Sequence, residues 1–407
     1  MIQYEKMRTL EWCNMKIMAV NAGSSSLKFQ LLHMPDEDVI VSGVVERIGL
    51  EEPSIKLKLN GDTIKESLDI KNHSDAVKVL LDLLVQKNIV SSIDEIDGVG
   101  HRVVHGGEKF TDSVVIDEEV IKAIEEVSDL APLHNPANLT GIRAFQKALP
   151  KVKAVAVFDT AFHQTMPKDA YLYGVPYEWY KKYGVRKYGF HGTSHKFVSQ
   201  EVAKLLDKPL SEVNTIVLHI GNGASICAVK GGQSVDTSMG FTPLAGILMG
   251  TRSGDIDPAI VEFIANKEEK TISQVINDLN KHSGYIGLSE HSSDSRDLWT
   301  ATHNGDKQSL MAVKKQVKMI CDYIAAYALT MGRVDAIVFT AGVGENAIMT
   351  RQLIAKRLAP LGVELDTERN YVRGAKTLIS TDDSTIKLFL LPTNEEVMIA
   401  RDVMRLS

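Results

Sequence analysis

The stretch MKIMAVNAGSSSLKFQLL, residues 15–32, constrains the fold more than any other. An apolar strand runs into a Gly/Ser turn, and a second strand follows in which Leu27, Phe29 and Leu31 alternate with other residues. Period-two alternation on both sides of Gly23 predicts a hairpin. The turn, Asn21-Ala22-Gly23-Ser24-Ser25-Ser26, gathers backbone N–H groups and hydroxyls, with Lys28 just beyond. Small residues, inward N–H groups and a nearby cation can cradle a phosphate without a helix; the same residues also make an ordinary tight turn. The pattern recurs in the second half, where the strand Thr215–Ile220 meets Gly221-Asn222-Gly223-Ala224-Ser225 and returns through Ile226–Val229. One strand–turn–strand per half predicts a duplicated architecture with a phosphate loop on each side of a cleft.

The segments between the two hairpins alternate strand and helix. Strands are expected over 39–48 and 55–59, with turns at Pro53 and Asn60-Gly61, then a helix capped by Ser74 with Val77, Leu80, Leu81 and Leu84 on one face. Residues 96–107 read as a buried strand ending in a Gly pair, with Arg102 inside it. An arginine in an apolar strand is costly unless paired: it is either a structural ion pair or an anion clamp reaching a cleft. Helices follow near 117–130 and 136–149, and the apolar strand 152–158 ends at Asp159. A carboxylate at the carboxyl end of a central strand stands where open α/β sheets bind ligands, or else serves as a cap or turn residue. Residues 165–185 read as a connection. His191 precedes a helix that Thr193 or Ser194 would cap; it either meets an anion at the helix start or takes part in capping.

The Gly-rich run 236–255 carries few charges before Arg252, and a loop this long inside a domain is usually functional. Arg252 is therefore a second candidate anion clamp. Helices near 257–267 and 271–282 and a polar loop with Ser293–Arg296 precede a long helix with Val313, Val317, Ile320, Ile324, Tyr327 and Met331 at helical spacing, stopped by Gly332. The buried strand 336–340 enters a third Gly turn, 341–346, and the strand 386–391 leads to Thr393-Asn-Glu395-Glu396, which reads as a capping box. Glu396 is then the cap residue, and Glu395 is freer to serve a metal.

Of the 407 residues, 24% are charged, the net charge is −6 and no basic stripe occurs, which argues against nucleic acid. Cys13, Cys227 and Cys321 lie far apart without metal-ligand spacing, so they read as reduced thiols in the cytoplasm. No apolar run is long enough to span a membrane. Residues 1–14 lack a signal-peptide h-region, and Met15 stands directly before the first strand. They are expected to be a poorly ordered extension, with the functional chain beginning at Met15.

Five motifs taken together, Asn21-Ala-Gly-Ser-Ser-Ser-Leu-Lys-Phe29, Gly189-Phe-His-Gly-Thr-Ser-His195, His219-Ile-Gly-Asn-Gly223, Gly250-Thr-Arg-Ser-Gly254 and Ala341-Gly-Val-Gly-Glu-Asn346, resemble the acetate kinase family, in the same order and over nearly all of 15–401. The resemblance implies an α/β fold of duplicated actin-like (ribonuclease H-like) βββαβαβα domains flanking a nucleotide cleft. The domains would be 15–163 with 397–407, and 164–396, in a cytoplasmic homodimer. It implies Mg²⁺, or Mn²⁺, at Asn21 and Glu395, and nucleotide phosphate near Lys28, Ser24 and Ser26. His219, Ile220, Gly221, Asn222 and Gly223 would cradle the phosphates of ATP or ADP. Asp294, Ser295 and Arg296 with Gly342, Val343, Gly344, Glu345 and Asn346 would hold the adenosine. Arg102 and Arg252 would hold the acetate carboxylate and the phosphoryl group in transit, Asp159 would be the catalytic acid, His191 would stabilise the transferred group and His134 would neighbour it. Val104, Leu133, Phe190 and Pro243 would form a small pocket for the methyl group. Ser295 departs from the aliphatic residue expected there, which bears on purine packing, and the extension before Met15 has no expected counterpart.

The implied reaction, ATP and acetate giving ADP and acetyl phosphate, brings two anions together against a repulsion of several kcal/mol at low effective dielectric. Two arginines, a lysine and a divalent cation supply the counter-charge for an in-line transfer. Acetate has a pKa near that of an ordinary carboxyl side chain, so at pH 7 it carries no proton to abstract. Asp159 is accordingly expected to orient the metal or an arginine rather than act as a base. A propionate or butyrate kinase is the alternative within enzymes, and a nucleotide-dependent assembly protein is the alternative outside them, since fold alone does not decide function.

Overall fold

A computed structural model describes residues 14–407; the expectations for residues 1–13 lie outside the described residues. The chain divides into two compact units, one of residues up to 161 together with 394–407 and one of residues 162–393.

In the first unit the 15–32 stretch is the expected hairpin. Strand β1 (Met15–Ala22) pairs antiparallel with β2 (Ser26–Met34), and Asn21 stands opposite Lys28. The sheet grows outward through β3 (Asp38–Glu46), β4 (Ser54–Leu59) and β5 (Asp62–Ser67), the last entered through the Asn60-Gly61 turn. On the other side of β1 lie β6 (Gly98–Val103), β7 (Val114–Val115) and β8 (Lys153–Phe158), in the order β5-β4-β3-β2-β1-β6-β8-β7. β1, β6 and β8 run parallel, which requires crossover connections. The helices 73–86 and 135–148 provide them, with Leu80, Leu84 and Phe145 in one core with Leu27, Leu31 and Val99. Asn72, rather than Ser74, caps the first of these helices, its side chain accepting from the Asp75 N–H.

The last helix, Glu395–Leu406, packs on β1 and β6 of this unit although β14 of the second unit precedes it in the chain. Two glycines of β6 permit this. A Cβ on Gly100 would stand 2.2 Å from Ile399 Cγ2, and one on Gly98 would stand 2.5 Å from Val403 Cγ1. As β6 climbs from Gly98 to Gly100 its helix partner moves back from Val403 to Ile399, so the next inward residue, Arg102, meets the helix start at Glu395 and Glu396. The expected capping box there is absent: Asn394 caps the helix, its side chain accepting from the Val397 N–H.

The second unit repeats the plan. Strands β9 (Asn214–Ile220), β10 (Ala224–Lys230), β11 (Gln233–Thr237), β12 (Ala336–Thr340), β13 (Thr377–Leu378) and β14 (Lys387–Leu390) form a sheet in the order β11-β10-β9-β12-β14-β13. In both sheets a run of antiparallel strands, five in the first and three in the second, leads into two further strands that run parallel to its last member, and a short antiparallel strand closes the edge. β9 and β12 are buried along their whole length, as parallel strands covered on both faces must be. The helix Lys307–Met331 packs its expected apolar stripe on β9 and β10 and ends at Gly332, whose φ of 75° is in the range that favours glycine. The helix Gly192–Leu205 packs on β9 and β12. Neither Thr193 nor Ser194 caps it: His191, at φ 57°, occupies the N-cap and makes no side-chain capping bond there. The presumed connection 165–185 contains two short helices, 168–171 and 177–183.

Candidate functional site

In the first unit the candidate side chains Asn21, Arg102 and Asp159 stand at the carboxyl ends of β1, β6 and β8. Arg102, next to last in β6, donates from Nε to Asp159 Oδ1 (2.9 Å) and from Nη2 to Asp159 Oδ2 (2.6 Å). This fork-to-fork pairing is the geometry a guanidinium makes best. The Asp159 side chain is 3% exposed and that of Arg102 22%, so the carboxylate is enclosed while the arginine side chain stays partly open to solvent. Burial opposes the Arg102 charge, but the carboxylates of Asp159, Glu395 and Glu396 more than compensate and hold it above its ordinary value. Burial pushes the Glu395 carboxyl up to about 7; Arg102 and Lys28 pull it down, and Asp159 and Glu396 add to the rise.

The loop after β6 is tied down by side-chain amides. Asn135 accepts from the His105 N–H (3.1 Å) and donates to its carbonyl (2.9 Å). Asn138 accepts from the Val104 N–H (3.1 Å) and donates to the Ala22 carbonyl (2.7 Å). This holds the Asn21 turn and the Arg102 strand end in one frame. Lys28 and Ser24 are exposed, Ser26 is partly covered, Val104 is buried, and His134 and Leu133 are exposed, Leu133 at 76%.

In the second unit four histidines cluster around the β9–β10 turn. The His191 and His219 rings stack at 4.1 Å and 18°, and His195 lies edge-on to both His163 and His219. Ser194 Oγ lies 2.8 Å from His219 Nδ1 and 2.8 Å from Thr393 Oγ1. Ser225 Oγ lies 2.9 Å from His191 Nδ1 and 2.8 Å from His195 Nε2. His163 Nε2 donates to the Phe190 carbonyl (2.9 Å), so its Nδ1 accepts from Ser234 Oγ (2.8 Å). Arg252 donates from Nη1 to the Pro243 carbonyl (3.1 Å). Among the described residues of this unit it forms no ion pair, and burial alone holds its pKa below the ordinary value. A Cβ on Gly223 would stand 3.4 Å from Arg252 Nη1 and 3.7 Å from His191 Nε2, so both groups converge on the bare turn.

A cavity of about 920 Å³ opens beside that turn. Of the residues expected to hold nucleotide, Gly221, Asn222, Asp294, Ser295, Arg296, Gly342, Val343 and Asn346 line it. His219, Ile220, Gly223, Gly344 and Glu345 do not; Ile220 is wholly buried in β9, and burial raises the Glu345 carboxyl. Ser24, Ser26 and Lys28 belong to the first unit. Asp294 caps the helix 295–303 and pairs with Arg296 at 2.6 Å, which keeps its carboxyl below the usual range. Trp299, His303 and Arg373 also line the cavity and were not anticipated. Trp299 and His303 sit one helical turn apart after Asp294–Arg296, a spacing that places them on one face and could have revealed them. His163 and His195 were likewise missed, because nothing local marks them as partners of His191.

The buried imidazoles make acid stability a measurable property of this chain. Burial pushes His101 down to about 3 and His163 to about 4, and holds His195 well below the ordinary value. The unfolded chain, with histidines near 6.5, binds these protons first as pH falls. Their contribution is therefore intact above about pH 6.5 and is lost as pH drops toward about 4, by up to about 1.4 kcal/mol per pH unit for each group. Urea unfolding midpoints at pH 7 and pH 5 check this; the lower-pH midpoint is expected to be lower, and equal midpoints would contradict it.

Among the described residues no three His, Cys, Asp or Glu side chains cluster as a metal site. Asn21 and Glu395 nonetheless carry hard oxygen donors, the kind a hard divalent cation takes when phosphate oxygens and water complete its shell. Among the described residues no helix is long and apolar enough to cross a membrane.

Residues 16–401 match the acetokinase family. The acetate kinase of Anoxybacillus flavithermus is 57% identical over 392 residues, covering 96% of this chain and 99% of that protein. The crystal structure of Porphyromonas gingivalis acetate kinase superposes with a TM-score of 0.93 at 44% identity, covering 96% of this chain and 99% of that one. A propionate kinase structure from Francisella tularensis superposes with a TM-score of 0.91 at 40% identity, covering 97% and 100%.

Proposed function

The chain belongs to the acetokinase family, and from that premise we propose how its residues divide the work. The reaction is reversible phosphoryl transfer from ATP to acetate, giving ADP and acetyl phosphate; the enzyme uses a nucleotide and a divalent metal. The observation that carries the assignment of roles is the contrast between the two arginines. Arg102 is neutralised by a buried carboxylate, and Arg252 has no counter-charge in its own unit.

In this reading Arg252, with the His191 imidazole beside it, accepts the negative charge of the transferring phosphoryl group, where preorganised donors lower the barrier most. Arg102 keeps one side of its guanidinium for the acetate carboxylate. Asp159 holds Arg102 in plane through two hydrogen bonds, so its role is orientation. The pairing supports that role over a proton-transfer role, and acetate has no proton to give at neutral pH. Asn21 and Glu395 would hold the divalent cation, Mg²⁺ or Mn²⁺, which supplies charge neutralisation at the phosphates. The cavity beside Gly221 takes the nucleoside, and Trp299 offers it an aromatic surface. Val104, Leu133, Phe190 and Pro243 are assigned to the substrate's methyl group and His134 to its neighbourhood. By family resemblance the enzyme works in the cytoplasm as a homodimer.

The relative named as a propionate kinase keeps one alternative in view. A single methylene in an apolar pocket is worth about 1–3 kcal/mol. Trapping the acyl phosphate with hydroxylamine over acetate, propionate and butyrate tests the assignment. The expected kcat/KM order is acetate first, then propionate about tenfold or more below it. Equal or higher values for propionate would reassign the substrate, and no hydroxamate with any acid would overturn the reaction.

A further inference from the structure

Ser225, on β10, touches two imidazoles at once, 2.9 Å from His191 Nδ1 and 2.8 Å from His195 Nε2. It is fully buried, as is His195. A serine hydroxyl has a single proton to donate and two lone pairs to accept with, so the direction of these two bonds is coupled. His195 decides it. Its Nδ1 is buried and has no hydrogen-bond partner among the described residues. Folded proteins leave a bare acceptor buried more readily than an orphan N–H donor. His195 therefore carries its proton on Nε2 and donates it to Ser225 Oγ. Ser225 Oγ has no third partner among the described residues, so its buried proton goes to His191 Nδ1, which accepts it. A neutral imidazole whose Nδ1 accepts carries its hydrogen on Nε2. On His191 that edge lies toward the bare Gly223 turn, the same point on which Arg252 Nη1 converges. His163 is held in the corresponding form, donating from Nε2 to the Phe190 carbonyl and accepting at Nδ1 from Ser234.

We infer that Ser225 is a positioning residue for the transfer: with His195 behind it, its hydroxyl locks His191 in the Nε2–H form, so that the imidazole presents a donor to the phosphoryl group. This rests on the role given to His191 above. Ser225 touches no substrate. Its effect is on the tautomer and tilt of a ring that also occupies a left-handed backbone position, φ 57°. Without the lock, His191 partitions between two tautomers, and in one of them it turns a lone pair toward an anion.

The test uses the full-length protein labelled with ¹⁵N-histidine, with the His191 resonances assigned by their loss in His191→Gln. In the wild type, His191 is expected as the Nε2–H tautomer, and in Ser225→Ala as a mixture. Ser225→Ala is expected to lower kcat about ten- to a hundredfold, the scale of a misplaced catalytic group, with KM for ATP and acetate within about twofold, and to keep a native fold with a lowered unfolding midpoint, because the buried His195 Nε2–H loses its acceptor. Ser225→Thr returns the hydroxyl on a residue suited to a strand and is expected to recover most of the loss. A wild-type His191 in the Nδ1–H form would overturn the inference whatever the variants do. So would a folded Ser225→Ala enzyme with wild-type kcat. Neither result would touch the acetate kinase reading, which fails only if no acetyl phosphate is made.

Discussion

Arg102→Ala is expected to lose both activity and stability, and to lose much of each. The side chain makes two charge-assisted hydrogen bonds to Asp159, whose carboxylate is almost fully enclosed. Removing one partner of a buried ion pair leaves the other charged and unpaired, which costs about 3–5 kcal/mol. Burial of Glu395 beside the same pair adds to the effect, because its carboxyl loses the guanidinium that now opposes its rise. The loss in turnover follows from charge. Acetate must approach a phosphoryl group of like sign, and losing one preorganised donor aimed at developing charge costs about a hundred- to a thousandfold in kcat. Arg102→Lys separates the two effects. It restores a positive charge next to Asp159 but not the planar fork, so the unfolding midpoint should recover more than kcat does. Urea titration and the hydroxamate assay on the same preparations check both. Wild-type turnover in Arg102→Ala would remove this residue from the site.

Arg252→Ala is expected to lose a similar factor in kcat, about a hundred- to a thousandfold, with little change in stability. Arg252 has no carboxylate partner within its unit, and its one direct oxygen acceptor is the Pro243 carbonyl. A single hydrogen bond of this kind is worth about 1 kcal/mol net. On the proposed reading, this desolvated guanidinium facing a bare glycine turn is kept for a ligand. The folded state therefore tolerates its loss, and the transition state does not. An Arg252→Ala enzyme that unfolds as easily as Arg102→Ala would mean that the arginine is structural. One that is stable and fully active would mean that the phosphoryl group is stabilised elsewhere.

Much of this was legible in the sequence. Both hairpins could be read because Leu27, Phe29 and Leu31 alternate and because each turn is built of residues too small for a packed core. The long helix was legible from the spacing of Val313 through Met331, and Arg102 stood out because a lone charge in an apolar strand needs a partner. What failed was information carried by tertiary contact. Ser194 looked like a cap, yet its hydroxyl is committed to His219 and Thr393. Glu396 looked like half of a capping box, yet Asn394 makes the cap bond alone. Glu395 was set by the resemblance in the second domain, 164–396. It sits in the first unit because Gly98 and Gly100 open a groove on β6 for the last helix. Those glycines were visible, but as strand glycines they gave no hint of which helix they admit. The cooperation of His163, His195 and Ser225 with His191 depends on residues brought side by side only by the second sheet, and no local pattern encodes it.

The central claim is that a carboxylate oxygen, held for attack by this chain's own cations, takes the phosphoryl group directly. Incubating the enzyme with ATP, a divalent metal and acetate carrying ¹⁸O at both carboxylate oxygens, then weighing the acetyl phosphate by mass spectrometry, tests it most directly. Direct transfer gives acetyl phosphate that retains both heavy oxygens, with no stoichiometric burst of ADP before acetate is added. ADP released without labelled acetyl phosphate, or acetyl phosphate that has lost a heavy oxygen at formation, would contradict it.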